Sequence, residues 1–435
     1  LAVAFVGTAK ADMYLRGNET FGNWATDYKM TQATDGTYYY VFTATSTADH
    51  YFCFSTKSGN DFNGSSIRPS NNNYNLTFGQ PYSGNTYSGG SSNAYYLNLE
   101  KDKSYIIAFD NSDKRVVVTY ATDNLYVLGG KNGSSGTSWV SNTGTQMTKT
   151  DDYVFVCDFE IATSQTCEEQ FGFSTQLSST SSDFSSIENY RFGAQQSSGN
   201  YLISNFPNTN ISLGWGHDDD HSFKIATAGT YKLVLDYKML KLSVYQTASI
   251  TTNTKGYSTY VNSNPLNISY TPGITAYYAT DRGNGSADAH KLSNPVSDTP
   301  MLLKADTEEA KIYYFAVVSS GTSLSEGTTN AFKAGSSTTA SGLASTTDIK
   351  YNYILNGDAF YAANNQKVAV GKAYLQLSAQ ATSRALVFPD DEGTGICVVT
   401  ATADNADAYY NLSGQRIATP SKGLYIVNGR KVIMK

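Results

Sequence analysis

Ser104-Tyr105-Ile106-Ile107-Ala108-Phe109-Asp110, followed after a short turn by Val116-Val117-Val118, has a second copy in the chain. The copy is Thr230-Tyr231-Lys232-Leu233-Val234-Leu235-Asp236, followed by Leu242-Ser243-Val244. Aromatic and β-branched residues of this kind fit the pleated surface of a sheet. Read as alternating apolar and polar positions, both pairs predict closing strands with one face in water. Two further landmarks precede each pair in the same order. Met13-Tyr14-Leu15-Arg16-Gly17 matches Leu125-Tyr126-Val127-Leu128-Gly129, and Tyr51-Phe52-Cys53-Phe54-Ser55-Thr56-Lys57 matches Gln170-Phe171-Gly172-Phe173-Ser174-Thr175-Gln176. A loop carrying Asp61-Phe62 or Asp183-Phe184 follows the second landmark in each copy. Shared composition alone does not preserve an order of landmarks, so the chain contains a diverged repeat. Each copy is expected to be a small β-sandwich, over residues 12–121 and 122–246.

The composition agrees with an all-β chain. Tyr (34) and Phe (20) are abundant among 435 residues, and charged residues are only 16%. Their companions are Ser, Thr, Asn and Gly, the residues of turns and surface loops. A net charge of −6 without a basic cluster gives no counterion-release drive, which sets nucleic acid aside as a partner. Four cysteines in so long a chain do not form a disulfide scaffold, and no CxxC spacing indicates structural zinc. Cys157 and Cys167 flank an expected hairpin. A disulfide between them is one reading, and a small buried core thiol at Cys157 is the other. Leu1–Val6 is apolar and is followed by Ala9-Lys10-Ala11, the small-x-small form of a signal-peptidase site, so residues 1–11 read as the end of a signal peptide and maturation at Asp12 is expected. A first β-strand is the alternative for Leu1–Val6.

Residues 247–392 lack the repeat's landmarks and read as a third β domain of a different kind. Lys311-Ile312-Tyr313-Tyr314-Phe315-Ala316-Val317-Val318 suits a buried strand, and residues 335–347 are rich in Ser, Thr, Gly and Ala like a loop. Residues 393–435 hold a linker and a short module. Three strands are expected there, at 408–417, 424–427 and 431–435, with Asn428-Gly429 as a hairpin turn.

Tyr409 to Lys435, with Tyr410-Asn411-Leu412-Ser413-Gly414-Gln415-Arg416 and Lys422-Gly423-Leu424-Tyr425-Ile426-Val427-Asn428-Gly429, resembles the C-terminal sorting module of proteins secreted by Bacteroidetes. The preceding domain resembles an uncharacterised extracellular domain found before that tail, through Gly256–Val261, Pro300-Met301-Leu302-Leu303-Lys304, Ala373–Leu377 and Thr394-Gly395-Ile396. The two repeats are similar to the Ig-like sandwiches of outer-membrane starch-binding lipoproteins, through Tyr126–Gly130, Phe171–Thr175, Arg191-Phe192-Gly193-Ala194 and Ala228-Gly229-Thr230-Tyr231. No lipobox cysteine accompanies them. The resemblance implies tandem Ig-like sandwiches, a third β domain and a small C-terminal β module. It also implies a secreted location or the extracellular face of the outer membrane, with contact to the secretion machinery through the tail.

No catalytic frame is present: there is no GxSxG, no HExxH and no phosphate-binding loop. The expected function is therefore non-catalytic binding of polysaccharide or other glycan, without a cofactor. The rival is a structural or adhesive subunit that self-associates through strand edges. Sugars combine apolar C–H faces with hydroxyls, so a flat ring beside polar side chains suits them. Trp24, Trp139 and Trp215 are the candidate rings. Each of the first two has an alternative role as a cap on its sandwich core, whereas the glycines around Trp215 suggest an exposed loop. Arg68 and Arg191 follow the two Asp-Phe loops, where an arginine either donates to a sugar or braces the loop. His217, Asp219 and His221 offer metal ligands in His217-Asp218-Asp219-Asp220-His221. A solvated acidic loop is the competing reading, because adjacent residues rarely converge on one ion.

Overall fold

The structure, a computed structural model, describes residues 12–70, 72–83, 86–88, 92–129, 140–161, 170–195, 201–216, 222–225, 227–292, 298–321, 324, 328–337, 339–381, 385–387, 395–398, 409–410, 416–417, 423–427 and 430–434. The expected signal remnant, Trp139, Cys167, the 217–221 segment and the Asn428-Gly429 turn lie outside the described residues. The fold is all-β, its sheets joined by loops and short 3-10 turns. No helix among the described residues is long and apolar enough to cross a membrane. Two compact units emerge. The first takes residues 1–249 together with 264–272 and 313–321, and the second takes the remainder.

In the first copy the strands are β1 (Tyr14–Gly17), β2 (Tyr28–Lys29), β3 (Thr31–Gln32), β4 (Tyr38–Thr43), β5 (Ala48–Ser55) and β6 (Ser66–Pro69). They continue as β7 (Tyr74–Asn75), β8 (Tyr82–Ser83), β9 (Thr86–Ser88), β10 (Tyr95–Leu99), β11 (Ser104–Asp110) and β12 (Arg115–Tyr120). The second copy runs through β13 (Tyr126–Gly129), β14 (Thr145–Gln146), β15 (Thr148–Asp151), β16 (Val154–Ile161), β17 (Gln170–Ser174) and β18 (Arg191–Ala194). It ends with β19 (Tyr201–Ile203), β20 (Asn208–Trp215), β21 (Phe223–Ile225), β22 (Gly229–Asp236) and β23 (Lys241–Thr251).

The two copies share one topology. The orders β2-β1-β5-β10-β7 and β3-β4-β11-β12-β8 recur as β14-β13-β17-β21-β19 and β15-β16-β22-β23-β20. Even the parallel pairs correspond, β10 with β7 and β21 with β19. Registers agree to the residue. Leu15 faces Phe54 as Val127 faces Phe173, and Tyr105 faces Phe42 as Tyr231 faces Phe159. The part played by β8 and β9 in the first copy falls to the single strand β20 in the second. It pairs with β23 at one end and with β18 at the other.

The closing strands correct the expectation of a wet face. Along β11, Tyr105, Ile107 and Phe109 point into the first copy's core, while Ile106 and Ala108 join the second copy's core. β12 does the same, with Val116 and Val118 on one side and Val117 on the other. In the second copy, Val156, Val234 and Tyr245 are covered by Ala316, with Tyr270 and Val318 packed against them. Both phases of the two-residue period carry apolar residues in these strands, so both faces need cover.

Among the described residues the second unit holds an eleven-stranded sheet, ten strands along one path and one paired beside it, that folds over a common core. Tyr257 and Leu302 share that core with Phe332, Tyr353, Phe360 and Leu375. Near the C-terminus four strands form their own sheet. What reads in sequence as one strand is two there, Tyr409–Tyr410 and Arg416–Ile417, paired antiparallel. Gly423–Val427 pairs with Arg430–Met434 so that Val427 faces Arg430, the register of a two-residue hairpin.

Candidate functional site

Within the first unit the two copies are joined by polar contacts from Arg115, Tyr237 and Lys238. Arg115 is buried and donates from Nε and Nη2 to the Met239 carbonyl at 3.2 and 3.1 Å, and from Nη1 to Ser212 Oγ at 3.3 Å. Tyr237 donates from its hydroxyl to the Tyr120 carbonyl at 2.9 Å. Lys238 has no exposed side-chain surface, and its ammonium lies 2.9 Å from both Asp35 Oδ2 and Asp236 Oδ1.

Trp215, at the end of β20, is wedged into this joint. Its N–H donates to the Gly79 carbonyl at 3.0 Å, and its own carbonyl accepts from Gln80 Nε2 at 2.7 Å. The ring packs against Phe78 at 5.2 Å, Phe192 at 5.4 Å and Tyr120 at 5.6 Å between centroids. Gly79 makes the approach possible. A Cβ there would stand 1.6 Å from Trp215 Cδ1, and its φ of +65° is left-handed, where glycine is favoured. The indole Nε1 is buried without a hydrogen-bond partner among the described residues.

An open cleft of about 380 Å³ runs beside the ring. One wall is aromatic, made by Phe78, Tyr105, Tyr120 and Trp215. Asn98, Glu100, Glu188, Asn189 and Arg191 bring amides, carboxylates and a guanidinium to the same space. Glu100 and Tyr105 are tied together, since the Glu100 backbone N–H donates to the Tyr105 hydroxyl at 3.0 Å. Burial, reinforced by Tyr105 and Glu100, pushes the Tyr120 phenol up to about 12, so it keeps its proton and can donate at neutral pH. Glu188 and Asn189 sit on a 3-10 turn, Ser185–Tyr190, that runs directly into β18. Such an arrangement suits a ligand with apolar patches and many hydroxyls.

The sequence-based candidates fare unequally. Trp215 lies at the cleft, but it is half-buried in a joint rather than exposed on a loop. Of its neighbouring glycines, Gly214 serves close packing, since a Cβ there would stand 2.5 Å from Gln80 Oε1, while a Cβ on Gly216 would meet nothing within 4 Å. Arg191 also lines the cleft, with its guanidinium 4.9 Å from the Phe184 ring centroid. Arg68 does not face a ligand space. It is 6% exposed and donates to Ser66 Oγ, the Asn93 carbonyl and Asn63 Oδ1, at 2.8, 2.9 and 3.2 Å, so it braces its loop. The registers also show that Arg68 and Arg191 are not counterparts. Ser66 faces Ser55 as Arg191 faces Ser174. Trp24 is half-buried with left-handed backbone at φ +64°, its ring 5.9 Å from the Arg68 guanidinium and outside the cleft.

Trp139 and the ligands suggested at His217, Asp219 and His221 lie outside the described residues. Among the described residues, no group of three or more His, Cys, Asp or Glu is placed to hold a metal. Cys157 is a free, buried thiol of the core, pushed up to about 12 by burial. Reading the sequence missed Phe78, Asn98, Glu100, Tyr120, Glu188 and Asn189. They come from strand ends and turns of both copies and carry no local spacing that would have grouped them.

No family model matches the chain, and no curated protein matches it. Among solved structures the chain is similar to SusF from Bacteroides thetaiotaomicron, at 13% identity and a TM-score of 0.30, over 71% of this chain and 70% of that one.

Proposed function

We propose that this is a non-catalytic glycan-binding protein of the cell surface, and that the cleft beside Trp215 is its binding site. One observation carries the reading: a cluster of the rings of Phe78, Tyr120 and Trp215 lines one open space together with Asn98, Glu188, Asn189 and Arg191. The rings would take the C–H face of a sugar, and the amides, carboxylates and guanidinium its hydroxyls. Isothermal titration with soluble oligosaccharides, and retention in gels cast with polysaccharides, test it. Asn98→Ala and Asn189→Ala are the informative variants, because neither belongs to the aromatic packing of the joint. Each should lower affinity by about 1 kcal/mol, roughly fivefold, with the melting temperature unchanged. If no glycan is retained, or both variants bind like the parent, the structural or adhesive role takes its place.

Glu100 and Glu188 favour a second reading, since two carboxylates in an aromatic cleft are also what glycoside hydrolysis requires. Release of reducing ends, abolished by Glu100→Gln or Glu188→Gln, would replace binding with catalysis. The proposal also assigns export to the C-terminal sheet. A chain ending at Glu392 should then stay inside a Bacteroidetes host, and normal surface display of it removes the sorting role.

A further inference from the structure

We infer that the second unit holds a binding site of its own for an anionic saccharide, a uronate or a sugar sulfate, in the cavity between Lys333, Lys350 and the stacked pair Tyr278 and His290. The cavity measures about 430 Å³, the size range of small-ligand sites. Tyr278, Thr280, His290, Lys333, Lys350 and Gln376 are strand positions, and the loop residues Thr328, Thr329 and Asn330 complete the wall. Tyr278 and His290 sit opposite one another on paired strands, Ile274–Asp281 and Ala287–Lys291, with ring centroids 4.8 Å apart and planes 22° from parallel. Thr280 Oγ1 lies 2.9 Å from His290 Nε2 and fixes the imidazole. An outer face of this stacked pair is a flat surface for one face of a pyranose.

The two lysines come from different strands, Phe332–Ala334 and Lys350–Asn356, which flank Ala373–Leu377 on either side. Among the described residues neither lysine forms an ion pair with a carboxylate. Lys333 Nζ donates to the Asn330 carbonyl at 2.8 Å. Burial and the neighbouring Lys350 charge hold Lys333 below the usual lysine range, the sign of an ammonium that lacks a counter-charge. Asp281 lines the same cavity, but its oxygens already accept the Gly283 and Ser378 backbone N–H groups, at 2.8 and 2.6 Å. An oxyanion between the lysines would relieve their repulsion. Thr328, Thr329, Gln376 and Ser378 line the rest of the space with groups suited to hydroxyls.

Titration calorimetry of the full chain with sodium glucuronate, glucose 6-sulfate, glucose and inorganic sulfate tests the assignment. Both sugar anions should bind at least about tenfold more tightly than glucose or sulfate alone, and more weakly as sodium chloride is raised. Lys350→Gln and Lys333→Gln should each lower glucuronate affinity by about tenfold, while Lys350→Arg retains it. Lys350 is exposed, so its replacement leaves the fold intact even where Lys333→Gln does not. Asn189→Ala, in the cleft of the first unit, should leave glucuronate binding unchanged. Glucose binding as tightly as glucuronate, sulfate binding as tightly as the sugar anions, or wild-type affinity in Lys350→Gln would each overturn the inference.

Discussion

Replacing Lys238 by Met keeps the aliphatic stem and deletes the one cation between Asp35 and Asp236. Removing one partner of a buried pair costs about 3–5 kcal/mol. The side chain of Asp35 is 40% exposed and that of Asp236 only 19%, so the lower end, about 3 kcal/mol at pH 7, is expected. The dependence on pH is more diagnostic than the size. Asp35 is pushed upward by burial but, on balance, held down at about 2 by Lys238 and Thr37. Its contribution is therefore present above the ordinary carboxyl pKa of about 4 and is lost as pH falls toward 2. Asp236 goes the other way, because burial outweighs the same ammonium and raises it to about 6. A raised carboxyl favours the protonated folded state, so this contribution declines as pH climbs from about 4 to 6. Without Lys238, the folded-state pKa of Asp236 rises further. The deficit of Lys238→Met should then widen above pH 6 by up to about 1.4 kcal/mol per unit. Urea unfolding at pH 5.5, 6.5 and 7.5, followed by intrinsic fluorescence, measures it. Adding Asp236→Leu to the variant should recover much of the loss, since no lone buried charge then remains. A deficit under about 1 kcal/mol, or one that is flat across that range, would refute the triad as a source of cohesion between the copies.

Two other outcomes follow from the joint and the cores. Gly79→Ala forces a left-handed φ on an L-residue, about 1–2 kcal/mol, and a methyl into the Trp215 ring, about 1–3 kcal/mol more. A loss below about 1 kcal/mol in urea unfolding, or unchanged glycan affinity, would show that the ring does not depend on that close approach. Cys53 and Cys157 are both pushed up to about 12 by burial. In a chain carrying Cys167→Ser and Cys397→Ser, neither thiol should react with an aromatic disulfide reagent at pH 8 until guanidinium is added, and prompt reaction of the folded chain contradicts their placement.

The repeat was legible because its landmarks are core residues. Phe54 and Phe173 each face a core residue of the first strand of their copy, so the same burial constraint acts twice and preserves their order. The sandwich joint was not legible from pattern alone. Ile106 and Ala108 looked like the outer half of an alternating strand, and nothing local says that another copy covers them. An apolar outer phase was nonetheless the available signal, since a face in water carries polar residues. Arg68 and Arg191 misled in a different way. Both follow an Asp-Phe loop, yet register decides equivalence in a sheet, and a two-residue offset sends one guanidinium into a loop brace and the other to the cleft.

Trp215 shows why the functional site was the hardest part to read. Its counterpart by register is Ser88, since Trp215 faces Phe192 as Ser88 faces Ile67. The ring is thus an addition by the second copy alone, and the residues that receive it, Phe78, Gly79 and Gln80, come from a loop of the first. The two copies share one framework, and the cleft lies where they differ. What the copies share is their core, and residues of this kind lie outside it. The residues that differ between register-equivalent positions and also touch the other copy are where a site built by the pair is to be sought. By that criterion Arg115 belongs with Trp215. Its register counterpart is Lys241; Arg115 reaches across to the backbone carbonyls of Met239 and Leu240, whereas Lys241 reaches the other way, to the carboxylates of Asp110 and Asp113 at 3.7 and 3.8 Å.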